Sequence, residues 1–208
     1  MKMTKLTQLL TLIFIGTTLY GFEDAIVIKK AKEKHLEEIA TLTHSIFFDD
    51  LKPILLSGYA NTPLVKAGET DTILNEWLTV RNKSNNDSIN NIGEKTEGLI
   101  IAQDKTKKDI LGFCNFSKEK INNVHYVYIS FLAVNKQVRQ RGIGTTLLTQ
   151  AMNTFDDVTL CKLATLAFDN ESVQSFYEKR GFTNQGLVTI DPRAEDTHFL
   201  YSCDIQHN

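Results

Sequence analysis

The segment Phe131-Leu132-Ala133-Val134-Asn135-Lys136-Gln137-Val138-Arg139-Gln140-Arg141-Gly142-Ile143-Gly144-Thr145 constrains the fold more than any other part of the chain. Four apolar residues read as the end of a strand, and a polar turn follows. Two glycines then open a stretch whose Ile143, Leu147, Leu148, Ala151, Met152 and Phe155 fall on one side of a helix. A strand that enters a helix through glycine builds an anion site. The first amides of the helix have no internal partners, and the helix dipole makes that end partly positive. Glycine leaves the backbone open to close approach. A phosphate or pyrophosphate is the ligand this segment predicts, with Arg139 and Arg141 adding donors at the rim.

Charge and cysteine usage exclude several alternatives. Lys and Arg number 23 against 25 Asp and Glu, a net charge of −2 at pH 7. That balance gives no electrostatic footprint for nucleic acid. Cys114, Cys161 and Cys203 are odd in number and lack C-x-x-C spacing, so they read as half-buried strand thiols rather than a disulfide or zinc framework. His35, His44, His198 and His207 show no ligand spacing either, and no metal is expected.

Around the glycine turn the chain alternates strands and helices, which reads as one α/β domain over residues 22–208. Ala25 to Ile28 is a short strand. Leu36, Ile39, Ala40, Thr43, Ile46 and Phe47 recur at helical spacing, and a second helix starts at Thr70 or Asp71 with Ile73, Leu74, Trp77 and Leu78 on its buried side. Residues 82–97 are the most polar stretch and read as a long exposed loop. Gly98–Gln103 and Ile110–Phe116 form a hairpin around a charged turn, followed by a long strand from Val124 to Val134. Further along lie a strand over Cys161–Ala167, a helix over Asn170–Arg180 capped by Gly181, and two closing strands, Phe182–Ile190 and Thr197–Cys203.

The first residues stand apart. Lys2 and Lys5 precede the apolar run Leu9–Ile15, and Gly21 offers a small residue before the first acid, Glu23. This is the pattern of a secretory signal peptide over residues 1–21, and the run is short for a membrane span of roughly 20 apolar residues. Export is therefore expected. The alternative is an uncleaved membrane anchor with a cytoplasmic domain.

The ligand of the glycine turn can be narrowed. A Walker A loop needs Gly-Lys-Ser/Thr after its spacer, and a dinucleotide fingerprint needs glycine where Leu147 stands. The order Arg139-x-x-Gly142-x-Gly144, behind a strand ending in Leu132-Ala133-Val134, instead resembles the acetyl-CoA signature of the Gcn5-related N-acetyltransferase (GNAT) family. A second segment agrees. Asn170 lies seven residues before Tyr177, and Gly181-Phe182 follows, as in the family's second cofactor motif. The resemblance implies a mixed, mostly antiparallel sheet of six to seven strands flanked by about four helices. It implies transfer of acetyl from acetyl-CoA to the primary amine of an unidentified acceptor, directly in a ternary complex. The main chain of Leu132, Ala133 and Val134 would pair with the pantetheine arm. The turn of Arg139, Gln140, Arg141, Gly142, Ile143, Gly144 and Thr145 would hold the pyrophosphate, and Asn170 would contact the cofactor arm.

The resemblance also assigns Tyr177 to the chemistry, as the phenol that meets the leaving sulfur. Many relatives carry a glutamate where this chain has Tyr128, and Val124–Val134 contains no carboxylate. Tyr128 and Ser130, relaying a water, are the expected route for the amine's proton. His125 is a weaker alternative because it alternates away from both in a strand. Phe47-Phe48-Asp49-Asp50 and the loop Asp191–Asp196 are candidates for gripping a cationic acceptor. A fold that keeps coenzyme A affinity without turnover, acting as a sensor or interaction module, is the rival reading, and the missing carboxylate favours it.

Overall fold

The computed structural model describes residues 25–53, 56, 70–90, 97–166, 171–188 and 198–206. The expected signal segment, Asn170 and the loop at 191–196 lie outside the described residues. Among the described residues no helix is long and apolar enough to cross a membrane.

Seven strands build one sheet: β1 (Ile26–Lys30), β2 (Glu97–Asp104), β3 (Ile110–Ile121), β4 (Val124–Val134), β5 (Leu160–Leu166), β6 (Thr183–Val188) and β7 (His198–Asp204). Their spatial order is β1-β2-β3-β4-β5-β7-β6. All neighbours are antiparallel except β4 and β5. Among the described residues four helices flank it: α1 (Leu36–Ser45), α2 (Thr70–Asn90), α3 (Ile143–Met152) and α4 (Glu171–Glu178). The strands and helices expected around the glycine turn are present with small changes at their ends.

The sheet is buried on both faces, which explains the unbroken apolar run Leu99-Ile100-Ile101-Ala102 in β2. Leu99 and Ile101 pack with Ile39 of α1 and Ile89 of α2. Ile100 and Ala102 turn the other way, into the core that Ile143, Leu147, Leu148 and Ala151 of α3 share with Tyr177 of α4. The period of two along the strand thus sorts side chains between the two helical layers.

Two segments differ from the sequence reading. Residues 82–90 are not a loop; they continue α2 to Asn90, and only 91–96 fall outside the described residues. This half of α2 buries polar side chains. Asn85 is 1% exposed and its Oδ1 accepts from Asn115 Nδ2 of β3 at 2.8 Å. Lys83 and Asp87 pair across one turn at 2.6 Å on the outer face. A helix held by hydrogen bonds to a strand has no apolar stripe, so hydrophobic periodicity misses it. The second difference follows α1, which passes at Ile46–Leu51 into a π-helical turn. This widened turn carries Phe47 into the core and Asp50 toward the glycine turn.

The feature that positions the site lies between β4 and β5. They pair only at Val127–Cys161, Tyr128–Lys162 and Ile129–Leu163. Beyond that point β5 continues against β7 and β4 continues against β3, so the two parallel strands part. Ser130 stands at the parting as the extra residue of a bulge, since Asn115 pairs with Phe131 and Phe116 with Ile129. On the other side, β3 holds β4 tightly: a Cβ on Gly112 would stand 2.6 Å from the carbonyl oxygen of Ala133.

Gly112→Ala is therefore expected to lower unfolding free energy by about 1–3 kcal/mol, the usual cost of overpacking a core. Denaturant melts of the two proteins read this directly; superimposable transitions would refute the close approach.

Candidate active site

The glycine turn is built by side chains that fix a sharp change of direction. Asn135 Oδ1 accepts from Gln137 N at 3.0 Å, capping a 3-10 turn over Lys136–Val138. Arg139 Nε returns to the carbonyl of Val134 at 3.0 Å, tying the turn to the strand end. Gln140 and Gly142 then adopt positive φ, 63° and 82°. The first intrahelical bond of α3 runs from Thr146 N to Gly142 O at 3.0 Å, so the amides of Ile143, Gly144 and Thr145 precede the ladder. A Cβ on Gly142 would meet nothing within 4 Å, so the turn is open there. Gly144 has a different role: a Cβ there would meet the Phe176 ring at 3.4 Å and Val134 Cγ2 at 3.5 Å. It lets α3, α4 and β4 converge.

The charges around this turn are already arranged. Asp50, delivered by the π-helical turn, pairs with the Arg139 guanidinium and stands 3.4 Å from Lys136 Nζ. Asp49 accepts from Ser45 Oγ at 2.7 Å. Asp50, expected as a grip for a cationic acceptor, is thus occupied in tethering α1 to the turn. A cleft of about 620 Å³ opens between them, lined by Glu38, Asp49, Asp50, Lys136 and Arg139 among others.

Sequence reasoning passed over Arg180, which follows α4. Its Nε and NH2 donate to Thr145 Oγ1 at 3.0 and 2.5 Å, its NH1 donates to Phe176 O at 2.5 Å, and its guanidinium lies 3.7 Å above the Phe176 ring. The Thr145 hydroxyl oxygen is thus held as an acceptor by the Arg180 fork. The signal was present in Tyr177-Glu178-Lys179-Arg180-Gly181-Phe182, where a cation closes the helix three residues after the tyrosine.

Tyr177 is 7% exposed. Its ring meets Phe176 and Phe182 edge-on at 5.0 and 5.6 Å and leans on Tyr201 at 6.1 Å. Burial pushes its phenol well above the ordinary tyrosine value; the nearby Cys114 and Cys161 thiols add to this, and Arg180 opposes it. The group stays protonated at neutral pH, so it can donate a proton or hydrogen bond but cannot act as a base. It does not line the open cleft. Its two thiol neighbours pair in register with Leu132 and Val127, positions that bracket the place where β4 leaves β5.

Tyr128 and Ser130 stand at that place on β4 itself. Tyr128 is half-buried, and its phenol is pushed up by burial and by Glu119, with Arg81 of α2 opposing. Glu119, from β3, accepts Tyr126 OH at 2.8 Å and Ser117 Oγ at 2.9 Å. Glu119 lies opposite Tyr126 in the register, so the carboxylate whose charge reaches Tyr128 stands on the neighbouring strand. Among the described residues no group of His, Cys, Asp and Glu gathers as metal ligands would. The structure therefore brings together the glycine turn, Thr145, Arg180 and the open edge of Leu132–Val134, and it sets Tyr128 and Ser130 beside that edge.

Comparison with known proteins agrees with this geometry. A sequence model described as the acetyltransferase (GNAT) family matches residues 67–182. No curated protein sequence matches the chain. Among solved structures, the fold is similar to the PaiA N-acetyltransferase of Thermoplasma acidophilum in complex with coenzyme A, at 18% identity, TM-score 0.57, and coverage of 86% of this chain and 99% of that one. A GNAT-family acetyltransferase from Staphylococcus aureus aligns at 18% identity and TM-score 0.58, covering 88% and 100%. NAA60 of Arabidopsis thaliana, in complex with a bisubstrate analogue, aligns at 14% identity and TM-score 0.59, covering 86% and 97%. With the family's sequence model spanning more than half of its length, this chain belongs to the GNAT acetyltransferases.

Proposed function

We propose that this acyltransferase moves an acetyl group from acetyl-CoA to a primary amine by direct transfer in a ternary complex. The observation that carries the reading is the parting of β4 from β5 directly upstream of an open, glycine-built helix start. A pantetheine arm is a chain of amides, and the edge of Leu132, Ala133 and Val134 that faces away from β3 offers it the hydrogen bonds of a missing strand. The pyrophosphate sits on the turn from Arg139 through Gln140, Arg141 and Gly142 to the amides of Ile143, Gly144 and Thr145, with the Thr145 hydroxyl aimed by Arg180. Asn170, which lies outside the described residues, is the further contact proposed for the same arm. The coenzyme A found with the Thermoplasma relative supports the assignment of cosubstrate.

The amine nitrogen attacks the thioester carbon, forming C–N. As the tetrahedral species collapses, C–S breaks and the electron pair leaves on sulfur. Tyr177 donates a hydrogen bond to that thiolate, its raised pKa keeping the phenol protonated throughout, and the sulfur takes its proton from water. The amine's own proton leaves through water held by Tyr128 and Ser130. Holding both reactants in line supplies much of the rate even without a strong base. We also propose that residues 1–21 direct export, on the strength of Lys2, Lys5 and the short apolar run.

Tyr177→Phe is expected to lower kcat about 100-fold while coenzyme A affinity by calorimetry stays within twofold. Unchanged turnover would remove the phenol from the mechanism. Arg180→Ala is expected to weaken coenzyme A about tenfold, and Arg180→Lys to recover little of it, since one ammonium cannot replace the fork on Thr145. Equal affinity in all three proteins would contradict the role of that contact. N-terminal sequencing of native protein after fractionation should find a start near residue 22; an intact Met1 on cytosolic material would overturn export.

A further inference from the structure

Arg81 is the cation that the account above leaves unused. It sits on the inner face of α2, half-buried, with its guanidinium 4.9 Å from the centre of the Phe131 ring. Among the described residues no carboxylate lies within ion-pair distance of it, although Asp50, Asp71, Asp87 and Asp157 all have partners of their own. Its Nε is buried with no hydrogen-bond partner. Two further buried orphans lie on the same helix within a turn: Asn82 Oδ1 and Asn85 Nδ2. The Asn85 amide is held by Asn115, which donates to its Oδ1 at 2.8 Å, so the unpartnered Nδ2 is fixed as a donor. Folded proteins satisfy nearly all buried polar groups, so Arg81 and Asn85, one turn apart on the same helix face and both with an unpaired buried donor, call for an acceptor the chain does not supply.

The strand beneath places this site beside the reaction. Residues 128 and 131 are three apart and in an unbroken strand would face opposite ways. The bulge at Ser130 resets the alternation, and the Tyr128 phenol and the Phe131 ring both stand near Arg81. The cation therefore overlooks the stretch of β4 where the strands part. Guanidinium stays charged even when burial disfavours it, and a buried charge calls for an opposite one. A single cation among neutral groups is balanced by a monoanion; a phosphate dianion would leave net charge in a poorly hydrated place. A planar carboxylate matches the guanidinium fork, with Asn85 Nδ2 as a further donor. Asn82 Oδ1, the lone acceptor of the three, suits an N–H.

We infer that Arg81 binds a carboxylate on the acceptor, so that the amine this enzyme acetylates belongs to an amino acid or another carboxylate-bearing amine. The inference rests on the acetyl-transfer reading and narrows its substrate class. It also departs from the expectation of a cationic acceptor gripped by Asp49 and Asp50, of which Asp50 is paired with Arg139.

The test uses the full chain in a coenzyme A release assay with acetyl-CoA and matched pairs of acceptors: the common amino acids and β-alanine against their carboxamides. The free acids should be favoured at least tenfold in kcat/KM. Arg81→Gln should abolish the preference by raising KM for the acids alone, with the carboxamides unmoved, and Arg81→Lys should restore part of it. An acid-to-amide ratio unchanged in Arg81→Gln, or acetylation confined to amines without a carboxylate, overturns the inference while leaving acetyl transfer intact. Calorimetry on the same samples separates the two readings. Failure to take up coenzyme A defeats acetyl transfer and this inference with it. With coenzyme A bound, uptake of β-alanine but not β-alaninamide, lost in Arg81→Gln, supports the carboxylate site even without turnover, and no uptake of any acid refutes it.

Discussion

The separation of two parallel strands after three paired positions governs the rest of this molecule. A sheet that continued to pair past Ile129 and Leu163 would be a sealed core, with every backbone group between them satisfied internally. Because β5 turns to β7 and β4 keeps company with β3, the last five residues of β4 are left with an open edge inside the protein. An open edge is a liability unless something occupies it. Here a linear, amide-bearing cofactor suits the space, and the helix start that receives the anionic end of such a cofactor follows only a few residues later. The strand and the turn are thus one device, continuous in sequence.

Three supports hold that device in shape. From below, β3 pins β4 through a contact that admits no side chain at Gly112. From the flank, Asp50 pairs with Arg139 and Lys136, joining the α1 layer to the turn. On the opposite side Arg180 binds Thr145 and stacks on Phe176, joining α4 to α3. Exposed ion pairs such as that of Lys136 contribute little alone. Their value here lies in which elements they connect: each ends on the glycine turn, so the layers on both faces of the sheet are registered to it.

Much of this was legible along the chain, for reasons that differ by segment. β4, the turn and α3 announce themselves because strand period, glycine and helix period succeed one another without interruption. The β2–β3 hairpin is equally plain, since both strands are buried on two faces and flank a charged turn. The second half of α2 was not legible: its inner face is asparagine and serine, bonded to Asn115 rather than packed in hydrocarbon. The same cause hid Arg81, which in sequence is one cation before a polar run. Asp50 looked like a substrate contact because pairing over a sequence distance of 89 residues leaves no local trace. Tyr177 was picked out by resemblance alone, and the structure shows how fully it is enclosed. Glu119, whose charge reaches Tyr128, sits on the neighbouring strand opposite Tyr126, a placement only the register reveals.

The central claim is that the open edge of β4 and the start of α3 together receive coenzyme A. Amide hydrogen exchange on the full chain, with and without coenzyme A, tests it most directly, because the groups in question are backbone N–H. The account predicts new protection confined to the amides from Ser130 to Val134 and from Gly142 to Thr145, with the β6–β7 hairpin unaffected. Unaltered exchange in both segments at saturating coenzyme A would contradict it.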